Sequence, residues 1–176
     1  MRIKDNNFRC DNNSKWDFSA STLSHILTSS TSIVNVKMYE VGSNNERVAF
    51  GEGKTHSTTD IIADFYFNNG SVVSYICELK ERDYPSDKFA DGWILECDKE
   101  RSLMNMAKEG YIPLYVNLFA DNKVIVWNLN RVNYKGDNIS IWADKKTKSV
   151  TPKIIHRGYG LKNKDGVMFD RICGVR

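Results

Sequence analysis

From Ile33 to Val41 the chain alternates, with Val34, Val36 and Met38 on one side and Lys37 and Tyr39 on the other. A period of two is the signature of a strand with one buried face. After the Asn-rich turn Ser43-Asn44-Asn45, residues Arg47 to Gly51 read as a second short strand. The sharpest pattern runs from Asp60 to Lys80. Ile61 to Phe67 is rich in β-branched and aromatic residues, Asn68-Asn69-Gly70 is a turn, and Ser71 to Lys80 returns, which predicts a β-hairpin. Ile112 to Phe119 is a strongly apolar strand, turned at Asp121-Asn122 and answered by Lys123 to Leu129.

Two segments carry helical spacing instead. Ala20, Leu23, Ile26 and Leu27 predict a short amphipathic helix over Ser19 to Ser30. Trp93, Ile94, Cys97, Leu103, Met104 and Ala107 predict a longer one over Trp93 to Lys108, with Gly110 where a C-terminal cap belongs. Residues 1–18 are polar and Asn-rich and read as an irregular arm. Beyond Asn133 the pattern weakens: Ile139 to Trp142 predicts a strand, Lys145 to Lys148 a basic loop, and Thr151 to Arg176 has no readable period. A strand, a helix and a further strand in one sheet make a right-handed crossover between parallel neighbours. The expected fold is therefore α/β, a mixed sheet flanked by helices, in one domain spanning 19–176.

Length agrees, since 176 residues are one domain's worth. No apolar run approaches the roughly 20 residues of a membrane helix, and the first residues carry no apolar signal segment. A cytoplasmic protein with no membrane partner is expected. Cys10, Cys77, Cys97 and Cys173 are scattered without metal-ligand spacing, so reduced thiols are expected rather than a zinc site. His25, His56 and His156 are equally dispersed and suggest no histidine-based triad. A net charge of +3 is too small to demand a nucleic-acid partner, yet permits one if the charge gathers on one face.

The chemistry lies in the hairpin. On the returning strand Ile76, Glu78 and Lys80 share a face. Pairing Phe67 with Ser71 around the turn sets Asp60 opposite Glu78 and Asp64 opposite Ser74. Two carboxylates about 5 Å apart repel by roughly 3 kcal/mol at an effective dielectric near 20. That arrangement calls for a cation, either Lys80 or a divalent ion of the Mg²⁺ or Mn²⁺ type that favours oxygen ligands.

Thr59-Asp60-Ile61-Ile62-Ala63, a hairpin, and then Glu78-Leu79-Lys80 resemble the signature of the PD-(D/E)xK nuclease superfamily, which includes restriction endonucleases and archaeal Holliday junction resolvases. The resemblance covers about residues 19–129 and implies a restriction-endonuclease-like αβββαβ core. It implies Asp60 and Glu78 as ligands of Mg²⁺ or Mn²⁺, Lys80 as the group that orients the attacking water, and hydrolysis of phosphodiester bonds in nucleic acid, DNA foremost. It also makes a homodimer an expectation. Glu96-Cys97-Asp98-Lys99-Glu100 is similar to a polar helix motif in parts of the superfamily, which makes Lys99 and Glu96 candidates for phosphate or water contacts. Arg82 is a candidate for a flanking phosphate. The sequence departs from the pattern in two places. Thr59 stands where the name-giving proline would be, and residues 19–30 contain no acid, leaving Glu46 or Glu52 as substitutes. Asp64 competes with Asp60 as ligand, and four strand residues span about 13 Å, so one ion cannot take both.

Other readings stand beside this one. Glu78 and Lys80 also fit a salt-bridged strand end, and Lys99 and Glu96 a solvated helix face. Trp93, Trp127, Trp142 and Phe119 read as core more readily than as base-stacking platforms. The alternative function is a non-catalytic nucleic-acid-binding or protein-interaction domain that retains the nuclease fold. A third is a small interaction protein in which the Glu-x-Lys is coincidental.

Overall fold

The computed structural model describes residues 32–42, 44–49, 61–90, 92–135, 138–143 and 154–170. The expected arm 1–18, the helix over 19–30, Glu52, Thr59, Asp60 and the basic loop at 145–148 lie outside these.

The predicted hairpin is present. Strand β3 (Ile61–Phe67) pairs antiparallel with β4 (Val72–Arg82), with Ile61 opposite Cys77 and Asp64 opposite Ser74. Phe67 N–H donates to Ser71 O at 2.9 Å, and Gly70 takes φ 82°, which an L side chain rarely adopts. On the other side of β3 lies β1 (Ile33–Val41), antiparallel, with the two-residue β2 (Arg47–Val48) beyond it at the sheet edge.

β3 is buried on both faces from Ile61 to Phe65, as a central strand must be. So is β6 (Ile112–Phe119), which runs parallel to β4 and places Glu78 beside Tyr115 and Lys80 beside Asn117. Helix α1 (Cys97–Lys108) lies between them in the chain and makes the crossover. Strands β7 (Lys123–Asn128) and β10 (Val167–Asp170) complete the other edge. Among the described residues the large sheet has seven strands in the order β10-β7-β6-β4-β3-β1-β2. The fold is thus a mixed α/β fold built on a large mixed sheet, with one helix among the described residues.

The predicted start of that helix is corrected. Trp93–Glu96 is not helical but forms strand β5, paired antiparallel with β9 (Ile154–Leu161) in a second sheet that β8 (Asn138–Ala143) completes. The physical reason is the pairing partner. Trp93 and Leu95 alternate with half-buried Ile94 and Glu96, and β9 supplies the backbone hydrogen bonds that a helix would otherwise make internally. Gly158 allows the approach, because a Cβ there would stand 2.3 Å from Leu95 O. The tail that carried no readable period thus contains β9, a 3-10 turn at Asn163–Asp165 and β10.

Two apolar clusters lie on opposite faces of the large sheet. One holds Ile61, Ala63, Phe65, Cys77, Leu79 and Val116. The other joins Ile62, Ile76, Tyr115 and Trp127 to Leu103 and Met106 of α1 and Leu95 of β5. Trp93, Trp127 and Phe119 are buried there, so the reading of these aromatics as core is the one observed.

Candidate active site at the carboxylate of the central strand

On the α1 face of β4 the side chains of Ile76, Glu78, Lys80 and Arg82 follow one another at a period of two. Ile76 joins the core and Glu78 starts the polar stretch. Glu78 is 1% exposed, and an isolated carboxylate that deep would be strongly disfavoured. Two ammonium groups compensate it. Lys80 Nζ lies 2.9 Å from Oε1, and Lys99 Nζ lies 3.2 Å from Oε1 and 3.2 Å from Oε2. Lys80 comes from the same strand face, while Lys99 is carried in from the first turn of α1. Two ammoniums, one from the same strand and one from the helix, therefore converge on one carboxylate, and all three residues are among those singled out in the sequence.

The electrostatics follow from that contact. Burial pulls the Lys80 ammonium toward its neutral form, but Glu78, by charge and hydrogen bond, with Tyr115 and Glu96 behind it, holds its pKa above the ordinary lysine value. Lys80 is thus a firmly charged group. Glu96, half-buried in the residue before α1, contributes by charge rather than by capping the helix with its side chain.

Arg82 is in the same row but turned inward. Its Nη2 donates to Tyr115 Oη at 2.6 Å and to Ile94 O at 3.3 Å, and its guanidinium lies 5.6 Å over the Trp93 ring. Tyr115 Oη donates in turn to Ile94 O at 2.8 Å. Burial pushes the Tyr115 hydroxyl up to about 12, against the opposing pull of Arg82 and Lys80, so it remains a donor. Arg82 thereby ties β4, β5 and β6 together beneath the carboxylate.

Asp64, the alternative ligand, shares this sheet face but belongs to a different cluster. Arg47 Nε and Nη2 each donate to it at 2.9 Å in a bidentate pair, and Ser74 Oγ donates at 2.6 Å. Arg47 also donates to Tyr111 Oη at 2.8 Å and lies against the Tyr39 and Tyr111 rings. Burial raises the Asp64 pKa, but Arg47 and Ser74 outweigh it and the net shift is downward. Ser74 and Glu78 are four strand residues apart, about 13 Å, with Ile62 and Ile76 between the two clusters. Glu46, the possible substitute acid, accepts from Asn44 N–H at 2.7 Å in an exposed turn.

A divalent cation is implied only by the family resemblance, and the donors test it. Among the described residues no three His, Cys, Asp or Glu side chains group as a metal site. Glu78 is one hard oxygen donor already neutralised by two ammoniums. The described donors by themselves do not make a Mg²⁺ or Mn²⁺ site, because they offer one carboxylate with two ammoniums on it. The observed register, Ile61 opposite Cys77, is the one from which Asp60 was set opposite Glu78.

Sequence reasoning overlooked Tyr115 and Asn117. Both lie in β6, read as a plain apolar strand. The signal was present: a tyrosine and an amide standing in alternate positions of an otherwise apolar run, on one face. Compared with known proteins, the chain matches no family model, no curated protein and no solved structure.

Proposed function

We propose that the chain is a metal-dependent nuclease that hydrolyses phosphodiester bonds of nucleic acid, with DNA as the expected substrate. The observation that carries the reading is the convergence of Lys80 and the helix-borne Lys99 on the buried Glu78. Supporting it is the order of elements: three antiparallel strands, a crossover helix, and a strand parallel to the one bearing Glu78 and Lys80. With the short β2 and β5 set aside, that order resembles the one expected of a restriction-endonuclease-like core from its first strand onward.

In this reading Asp60 and Glu78 hold Mg²⁺ or Mn²⁺, which when bound supplies a Lewis acid and an acidified water. Lys80, kept charged by its neighbours, orients the water that attacks phosphorus. Lys99 meets a phosphate oxygen from the helix side, and Glu96 supports the Lys80 ammonium by charge. Arg82 contributes by holding β5 and β6 to β4, since its guanidinium is engaged inside the protein.

A second reading has one observation in its favour. Two ammoniums on one carboxylate leave a net positive cluster, which suits a phosphate better than a cation. That is the non-catalytic nucleic-acid-binding domain.

Cleavage of duplex DNA, single-stranded DNA and RNA, assayed with Mg²⁺ and with Mn²⁺, separates the two. The nuclease reading expects cleavage by the wild type and loss of at least a hundredfold in turnover for Lys80→Ala with binding retained, because the lysine acts mainly in the transition state. Binding at low salt without cleavage by the wild type makes the domain a binder. Neither binding nor cleavage overturns both.

A further inference from the structure

Arg101, Met104, Asn105 and Lys108 recur every three or four residues and so form one stripe of α1. Lys99 stands two residues before Arg101, about 200° around the helix, so this stripe and the Glu78 cluster occupy different sides of α1. Facing the stripe is the chain beyond β7, with Asn130 and Lys135, and the two enclose an open cavity of about 460 Å³. That volume is in the range of ligand-binding clefts.

Both walls are fixed. Leu129 N–H donates to Pro113 O at 3.0 Å, and Arg131 N–H to Asn128 O at 2.9 Å. Tyr134, buried against Tyr159, donates its hydroxyl to Glu100 Oε1 at 2.8 Å. Burial, and after it Glu100, pushes that hydroxyl well above its ordinary pKa, so it stays a donor. A loop held in this way presents its side chains with little ordering cost at binding.

The charge around the cavity is one-sided. Arg101, Lys108 and Lys135 line it, against the single carboxylate of Glu100 among the described residues. Glu100 is 8% exposed and already accepts from Tyr134. On a merely solvated helix face, neighbours four residues apart carry opposite signs; the stripe from Arg101 to Lys108 contains no acid. Lys108 Nζ donates to Asn105 Oδ1 at 3.3 Å, so what Asn105 keeps for a ligand is its pair of amide N–H donors. Met104, packed against the core, supplies an apolar floor. Cations and amide donors around one cavity match phosphate oxygens.

We propose that this cavity is a phosphate-binding site, separate from the Glu78 cluster, through which the backbone of the nucleic acid passes. The choice of nucleic acid rests on the reading above, and the open shape suits a passing chain better than an enclosed small molecule. The phosphate chemistry rests on the cavity alone and needs no metal.

The test uses the full chain in two measurements. In the first, backbone amide NMR signals are followed while inorganic pyrophosphate or a short single-stranded oligodeoxynucleotide is added. Both are expected to shift amides of Arg101 to Lys108 and of Asn130 to Lys135. Shifts confined to the neighbourhood of Lys80 and Lys99, or no shift with either probe, overturn the proposal. In the second, oligonucleotide affinity is measured against salt concentration. The combined variant Arg101→Gln, Lys108→Gln, Lys135→Gln changes exposed side chains only. It is expected to bind at least tenfold more weakly at low salt and to lose about two units of salt slope, since each contact to a single strand contributes about 0.7. Lys164→Gln, which removes an exposed charge outside the cavity, is expected to leave the slope unchanged. An unchanged slope in the combined variant overturns the passage of nucleic acid through the cavity. Pyrophosphate shifts in the cavity without oligonucleotide binding by the wild type keep the phosphate site, make a small phosphorylated ligand its occupant, and overturn the nucleic-acid reading instead.

Discussion

Glu78 is the residue on which the local electrostatics turn, because it is buried with a full charge while its partners are only partly covered. Removing it leaves two ammoniums in a poorly solvated site. Glu78→Gln is therefore expected to lower stability by about 3 kcal/mol at neutral pH, the usual cost of breaking a buried pair from one side. Lys80→Ala leaves Lys99 on the carboxylate and should cost about 1 kcal/mol. Urea unfolding of the two variants checks the order; a larger loss in Lys80→Ala would mean that Lys99 does not compensate Glu78. Asp64 makes a pH-dependent prediction. Its folded pKa lies below the ordinary aspartate value, so it binds its proton less readily in the folded state than in the unfolded one. Its contribution to stability is full above that value and is lost as the pH falls below it toward the lowered folded value. Wild type should lose stability over this acid range, and Asp64→Asn should show a flatter profile there, which urea midpoints between pH 2 and 5 would measure.

At the scale of elements, what was legible in the chain was what local geometry controls. Asn68-Asn69-Gly70 between two arms rich in β-branched and aromatic residues specified the hairpin, and the tight loop that pairs Phe67 with Ser71 set its register. Trp93-Ile94-Leu95-Glu96 shows the opposite case. These residues suit the start of an amphipathic helix, and only β9, far along the chain, makes them a strand. The junction is tight, so Gly158→Ala should be disproportionately harmful. A methyl group there meets the Leu95 backbone, which cannot rotate away as a side chain can. A loss of about 2–3 kcal/mol in urea unfolding is expected. A neutral Gly158→Ala would show that β5 and β9 part at little cost. The Asp64 ion pair was illegible for the same kind of reason: Arg47 reaches it from β2 across the sheet, and no spacing in the chain announces that contact.

For the whole molecule, the sheet order puts β3, β4 and β6 at the centre, and the polar cluster stands on that part of the sheet. The most rigid part of the sheet therefore holds Glu78, Lys80 and Asn117, while β2 and β10 form the edges. Hydrogen exchange should reflect this. Amides of β3, β4 and β6 are expected to exchange slowest, near the rate of global unfolding, and those of β2 and β10 fastest. Rapid exchange in β4 at Glu78 and Lys80 would contradict a site held by a rigid support. The parallel β4–β6 pair explains why the cluster draws on two strands and a helix. A crossover returns the chain beside β4, and the helix in that crossover, entered from β5, brings Lys99 of its first turn to Glu78 of β4.

Local pattern alone was enough for the hairpin and its register, the helix through Lys108, the apolar strand Ile112 to Phe119, and the shared face of Glu78 and Lys80. Each depends on periodicity or turn chemistry within a few residues. The tertiary structure alone decided that Trp93–Glu96 is a strand, that Arg47 holds Asp64, that Arg82 turns inward to Tyr115, and that Asn117 lies beside Lys80. Those outcomes depend on which distant strand supplies the backbone partner and which buried charge is nearest. Both are set only when the whole sheet has assembled.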